Sequence, residues 1–178
     1  VWYGQHLFSS EQPLGPESSE LPFICYPTHK LSVDDLQTVL GSHYNETQYD
    51  PLGNAPDKER LRYRPIGLNR TQNSHVLQLR DHQPANQSAL MWLCLGYPTF
   101  APYLPFYANM ESTPASFDTT DLTFNFGQAY WRYRALSVLV EAHYPQFRQA
   151  NLDFIKEQRR QLHAWVAETD ALSLNRTT

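Results

Sequence analysis

The densest run of hydrogen-bonding side chains is Asn69-Arg70-Thr71-Gln72-Asn73-Ser74-His75, which leads straight into an alternating stretch. Arg70 is always charged, and its planar guanidinium can fork onto a carboxylate. Projected from a strand end into a pocket, it would clamp an anionic group or steady negative charge growing on a carbonyl oxygen. A solvated strand edge would have the same composition. A second unusual run, Gly96 to Tyr107, holds three prolines and five aromatic residues. Its Tyr97, Phe100 and Tyr103 would make an apolar wall beside that pocket. Equally, the run reads as a rigid surface loop packed on the core.

Other chemistries find little support. The seven histidines (His6, His29, His43, His75, His82, His143, His163) never pair with one another, with Cys or with a carboxylate at zinc-motif spacing. No metal or cofactor is therefore expected. His75 stands out because it sits on an alternating strand face, where a hydrogen-bonded core histidine is the simpler reading. No Gly-x-Ser-x-Gly, P-loop or dinucleotide fingerprint occurs, and only 7 of 178 residues are glycine, which disfavours phosphate-cradling loops. Of the two cysteines, Cys94 lies in the apolar run Ala89 to Leu95 and reads as a small buried hydrophobe. Cys25 and Cys94 make no disulfide framework.

The elements that must position these residues are partly legible. Residues 9–22 read as a loop, and Phe23 to Pro27 as a short strand. Ser32 can cap a helix that carries Asp34 and Asp35 in its first turn and fades near 41–44. Asp50-Pro51-Leu52-Gly53-Asn54 is a turn. Residues 74–80 alternate, which predicts a strand with His75, Leu77 and Leu79 on its core face. Residues 89–95 are continuously apolar, as in a strand covered on both faces. The two should form an antiparallel hairpin. The prolines of 96–107 forbid a regular helix or a central strand. Asn125 to Gln128 fits a helix cap before a mostly apolar, buried helix over 128–143. Pro145 breaks it and starts another over 146–167. That helix has Phe147, Asn151, Phe154, Gln158, Leu162 and Trp165 along one stripe, and Lys156, Glu157, Arg159 and Arg160 toward solvent. Residues 168–178 read as a frayed polar tail. The fold class is α+β, antiparallel strands followed by two long helices, in a single unit over 1–178.

Composition bounds the rest. A chain of 178 residues can bury roughly 70% of its unfolded surface. Apolar residues make up 41%, too many for a disordered chain, while charged residues are only 18% against a usual share of about 25%. The deficit suggests that other protein covers part of the surface. The net charge of −4 and the lack of a basic run argue against nucleic acid. No apolar stretch approaches the roughly 20 residues of a membrane span. The chain opens Val1-Trp2-Tyr3 with no leader pattern and no initiator Met, so Val1 is expected to follow a processing step or a boundary within a longer protein. The expected compartment is the cytoplasm. The four acceptor-like sequons at Asn45, Asn69, Asn86 and Asn175 are then expected to be unmodified.

An ordered set of segments resembles the dipeptidase A family of cysteine peptidases. The segments are Gly41-Ser42-His43-Tyr44-Asn45-Glu46-Thr47 with Tyr49-Asp50-Pro51, Arg64-Pro65-Ile66, Asn73 to Arg80, Leu95-Gly96, Tyr103 to Tyr107 and Ala129-Tyr130-Trp131. The resemblance implies an N-terminal-nucleophile hydrolase built as a four-layer αββα sandwich. It implies cleavage of unblocked dipeptides, without a cofactor, by an N-terminal cysteine whose own amino group is the base. It covers nearly all of this chain but only the C-terminal two-fifths of the family's length. Residue 1 is Val, and Cys25 and Cys94 are internal, so the nucleophile is not in this chain. The expectation is an inactive fragment whose partners are dipeptides for the parent enzyme, the missing N-terminal half of the same protein and, in a homo-oligomer, a second copy. Arg70 matches the strand arginine of the related acylases, with Asn73 and His75 as further candidates. The rival reading is a non-catalytic module that binds a partner through the aromatic loop 97–107.

Overall fold

A computed structural model of the protein describes residues 1–9 and 14–174. In chain order these form α1 (Trp2–Phe8), α2 (Val33–Leu40), α3 (Asp57–Arg60), β1 (Asn73–Leu79), β2 (Ala89–Leu95), β3 (Leu104–Tyr107), α4 (Ala115–Asp118), α5 (Ala129–Ala142) and α6 (Tyr144–Leu174).

The strands make one antiparallel sheet in the order β1-β2-β3. β1 and β2 form the expected hairpin, with Val76 opposite Trp92 and Leu77 opposite Met91. β3 is an edge strand, which is how it accommodates Pro105. The core lies on the sheet face that carries Val76, Leu90, Trp92 and Cys94. Leu162 and Val166 of α6 cover that face, with Val33 and Leu40 of α2 beside them.

α2 forms as its sequence dictates. The Ser32 side chain accepts from the Asp35 amide, and Asp35 accepts from the Ser32 amide, a reciprocal cap that satisfies two orphan donors. The thiol of Cys94 is fully buried, and burial pushes its pKa up to about 12. Asp50 closes its turn by accepting the Leu52 amide at 2.8 Å.

Several expectations are corrected. The core face of β1 is the opposite one: Val76 is buried while Leu77 is 69% and Leu79 84% exposed. The polar residues on the inner face are made tolerable by hydrogen bonds, Trp92 Nε1 donating to Gln78 at 2.9 Å and Ser74 pairing with the Tyr103 hydroxyl at 2.7 Å. β2 is buried on alternate residues only, so one of its faces is half-open. Phe23 to Pro27 is not a strand beyond a single bridge from Ser9 to Pro27, and residues 10–13 of the expected loop lie outside the described residues. Asn125 does not cap α5. Its Oδ1 accepts from the Gly127 amide instead, and the helix starts three residues later behind Gln128. α5 is not covered all round, since Val138 and Leu139 are about half exposed. On α6, Phe154 and Trp165 turn outward, and the buried stripe runs through Asn151, Leu162, Val166 and Asp170. The helix also continues to Leu174 rather than fraying at 168. The sequon at Asn175 lies outside the described residues.

Candidate functional site

The segment that delivers Arg70 is pinned residue by residue. The Gly67 amide donates to the Ser42 carbonyl at 2.7 Å. A Cβ on Gly67 would fall 2.7 Å from Thr99 Oγ1 and 2.9 Å from the Gly41 backbone, so only glycine lets the strands of chain approach there. Asn69 Nδ2 donates to Glu141 of α5 at 2.8 Å, and Arg134 of α5 donates to the Asn69 carbonyl. A turn closes from the Thr71 amide to the Leu68 carbonyl at 3.0 Å, with Arg70 at its tip. The Gln72 carbonyl then accepts from the Gly96 amide at 2.8 Å, and β1 begins.

Held on both sides, Arg70 is exposed. Among the described residues its guanidinium has no hydrogen bond or ion pair. Asn73 and His75 follow on the open face of the sheet, opposite Leu95 and Leu93. Both are exposed. His75 borders an apolar groove of about 600 Å³ shared with Phe8, Cys25, Leu36 and Leu77. The three predicted polar residues therefore gather at one end of β1.

The predicted aromatic wall does not join them. Tyr97, Phe100 and Tyr103 are 3%, 2% and 5% exposed. Tyr103 bonds to Ser74, on the sheet face opposite His75. Tyr97 and Phe100 pack with Val140 in a second apolar cluster. Burial raises the phenol of Tyr97 to about 12 and that of Tyr103 further still. Every residue from 97 to 107 is buried or half-buried, which leaves the loop little surface for a partner.

One constellation escaped the sequence reading. His43 is buried, and its Nδ1 lies 2.7 Å from Asp50 Oδ1. A carboxylate only accepts, so the bond puts a proton on Nδ1 and fixes the ring's orientation. Between the two, Tyr44 and Glu46 adopt left-handed backbone, φ 62° and 64°, which is uncommon outside glycine. His43, but not Asp50, lines a cleft of about 490 Å³. The available signal was the Asp50 turn, which folds the chain back seven residues after His43. Among the described residues no three His, Cys, Asp or Glu side chains cluster as metal ligands would.

Comparison with known proteins gives the lineage. The profile of Peptidase family C69 matches residues 1–157, and the chain belongs to that family. It is 44% identical over 170 residues to a probable dipeptidase of Latilactobacillus sakei, covering 96% of this chain and 36% of that protein. It is 32% identical over 171 residues to dipeptidase A of Lactobacillus helveticus, again covering 96% and 36%. A dipeptidase of Bifidobacterium longum is 31% identical over 156 residues, covering 87% and 29%. The chain thus spans about a third of the length of these relatives. Among the described residues no helix is long and apolar enough to cross a membrane.

Proposed function

We propose that this chain is the C-terminal part of a cytoplasmic dipeptidase and supplies the binding end of its active site, while the rest of the protein supplies an N-terminal cysteine nucleophile. In this reading the thiolate attacks the scissile carbonyl, with the cysteine's own α-amino group, pKa about 8, as the base. An acyl-enzyme forms, the amine product leaves, and water releases the acid product. Arg70 clamps the free carboxylate of the dipeptide or steadies the oxyanion. Asn73 and His75 line the same end.

The observation that carries this reading is a bare guanidinium on a rigidly pinned turn, in a chain of a peptidase family. Holding a cation in place without a partner makes sense if the anion is brought by substrate. The open sheet face carrying Leu77 and Leu79, 69% and 84% exposed, fits a second sheet packed against it in a four-layer sandwich. The low charge content fits the same cover.

The test is Arg70→Lys in the full-length protein. Lysine keeps the charge and loses the fork. The expected outcome is a fall in kcat/KM of roughly 100- to 1,000-fold with the thermal midpoint unchanged. A rate within about threefold of wild type would remove Arg70 from the chemistry. The 178-residue chain alone should not turn over dipeptides; turnover at the rate of the full-length protein would refute the fragment reading.

A further inference from the structure

The cleft beside His43 shares no lining residue with the groove at His75, and the dipeptidase reading does not use it. Its walls are α2, the Pro98–Phe100 turn and the first half of α6. On α6, Arg148, Lys156 and Arg159 all face it, spaced i, i+8 and i+11 and so on one side of the helix. Lys156 and Arg159 are neighbours three apart on the helix surface, so two cations stand side by side at the cleft, with Asp34 at 3.8 Å from Arg159.

Three carboxylates stand near these cations, and one of them, Asp153, is in the lining itself, against three basic residues there. Asp153 accepts from Gln149 at 3.0 Å, Asp50 holds His43, and Asp34 is bonded to His163 at 2.8 Å and lies only at 3.8 Å from Arg159. Among the described residues Lys156 and Arg148 have no ion-pair or hydrogen-bond partner. The second observation is independent of charge. Gln37 is 4% exposed and lines this cleft, and its buried Nε2 has no acceptor among the described residues. A buried amide donor without an acceptor is costly, and native structures rarely retain one without a use. Phe100, Tyr144, Leu152 and Ile155 complete the lining with apolar surface.

We propose that this cleft binds a small organic anion. Its carboxylate or phosphate is held by Gln37, Lys156 and Arg159, and its apolar body lies on Phe100 and Tyr144. A volume of about 490 Å³ suits a molecule of amino-acid to nucleotide size.

The experiment titrates the protein with phenylacetate and with phenyl phosphate by calorimetry. The two probes share a ring and differ in the anion, so their ratio tells a carboxylate site from a phosphate site. At least one should saturate with a Kd below about 5 mM. Gln37→Leu, which keeps the volume and removes the donor, should weaken binding at least tenfold. Lys156→Met should do the same at an exposed position where folding is not at risk, so it decides the matter if Gln37→Leu perturbs the fold. Saturation by neither probe, or binding that survives Lys156→Met undiminished, overturns the proposal.

Discussion

β1 is flanked by two arginines, and the fold treats them in opposite ways. Just beyond its C-terminal end, Arg80 is 7% exposed, and both of its terminal nitrogens are engaged while its buried Nε has no acceptor among the described residues. Its Nη1 donates to Asp170 Oδ2 at 2.6 Å and its Nη2 to Asp170 Oδ1 at 3.2 Å, and Nη2 also meets the Gln87 carbonyl. Tyr107 closes the group, its hydroxyl donating to Asp170 at 2.7 Å and its ring 5.6 Å from the guanidinium. Just before the other end, Arg70 is exposed, with its backbone pinned and its side chain unpaired among the described residues. The same residue type does two jobs. A buried ion pair that ties strand to helix is architecture. A cation displayed on a fixed turn, with no partner among the described residues, is what the proposed binding role requires.

Three substitutions would break that contrast. Arg80→Met leaves Asp170 buried and unpaired, so it should cost about 3–5 kcal/mol in chemical denaturation. A loss below about 1 kcal/mol would erase the distinction between the two ends. Tyr107→Phe removes one hydrogen bond to the carboxylate and should cost about 1.5–3 kcal/mol. It should also change the alkaline limb of the stability profile. Burial first, and Asp170 second, raise the Tyr107 phenol from 10.0 to about 12. The unfolded chain loses that proton at lower pH than the folded one, so this contribution is complete below pH 10 and is lost between about pH 10 and 12. Wild-type stability should therefore fall more steeply over that window than that of Tyr107→Phe. Arg70→Met should change stability by no more than about 0.5 kcal/mol, since nothing in the described chain depends on the guanidinium. A larger loss would mean that Arg70 is structural after all.

The sequence made some of this legible. Local signals acted where they do not depend on distant residues: the Ser32 cap, the hairpin of β1 and β2, the break at Pro145, and the polar cluster delivering Arg70. Parity on β1 was not legible, because two leucines outweigh one valine in any local pattern. The fold inverts that preference by giving Gln78 and Ser74 partners, Trp92 and Tyr103, that no periodicity announces. The end of α6 was missed for the same reason. Asp170 reads as a polar tail residue until Arg80 arrives to neutralise it. The His43–Asp50 pair depends on a loop with two left-handed residues of ordinary type, a conformation that composition does not signal. What failed, in each case, was the prediction of burial for polar residues whose partners lie far along the chain.

The clamp between Arg80 and Asp170 joins residues 90 apart in sequence. Such a contact closes a long loop, and the chain gains it only after most of the intervening structure is in place. Interactions absent from the folding transition state act on the unfolding rate alone. Loss of the Asp170 carboxylate should therefore leave the folding limb of a chevron nearly unmoved and raise the unfolding limb. The clamp is then expected to set how long the folded molecule lasts once made, not how quickly it is made.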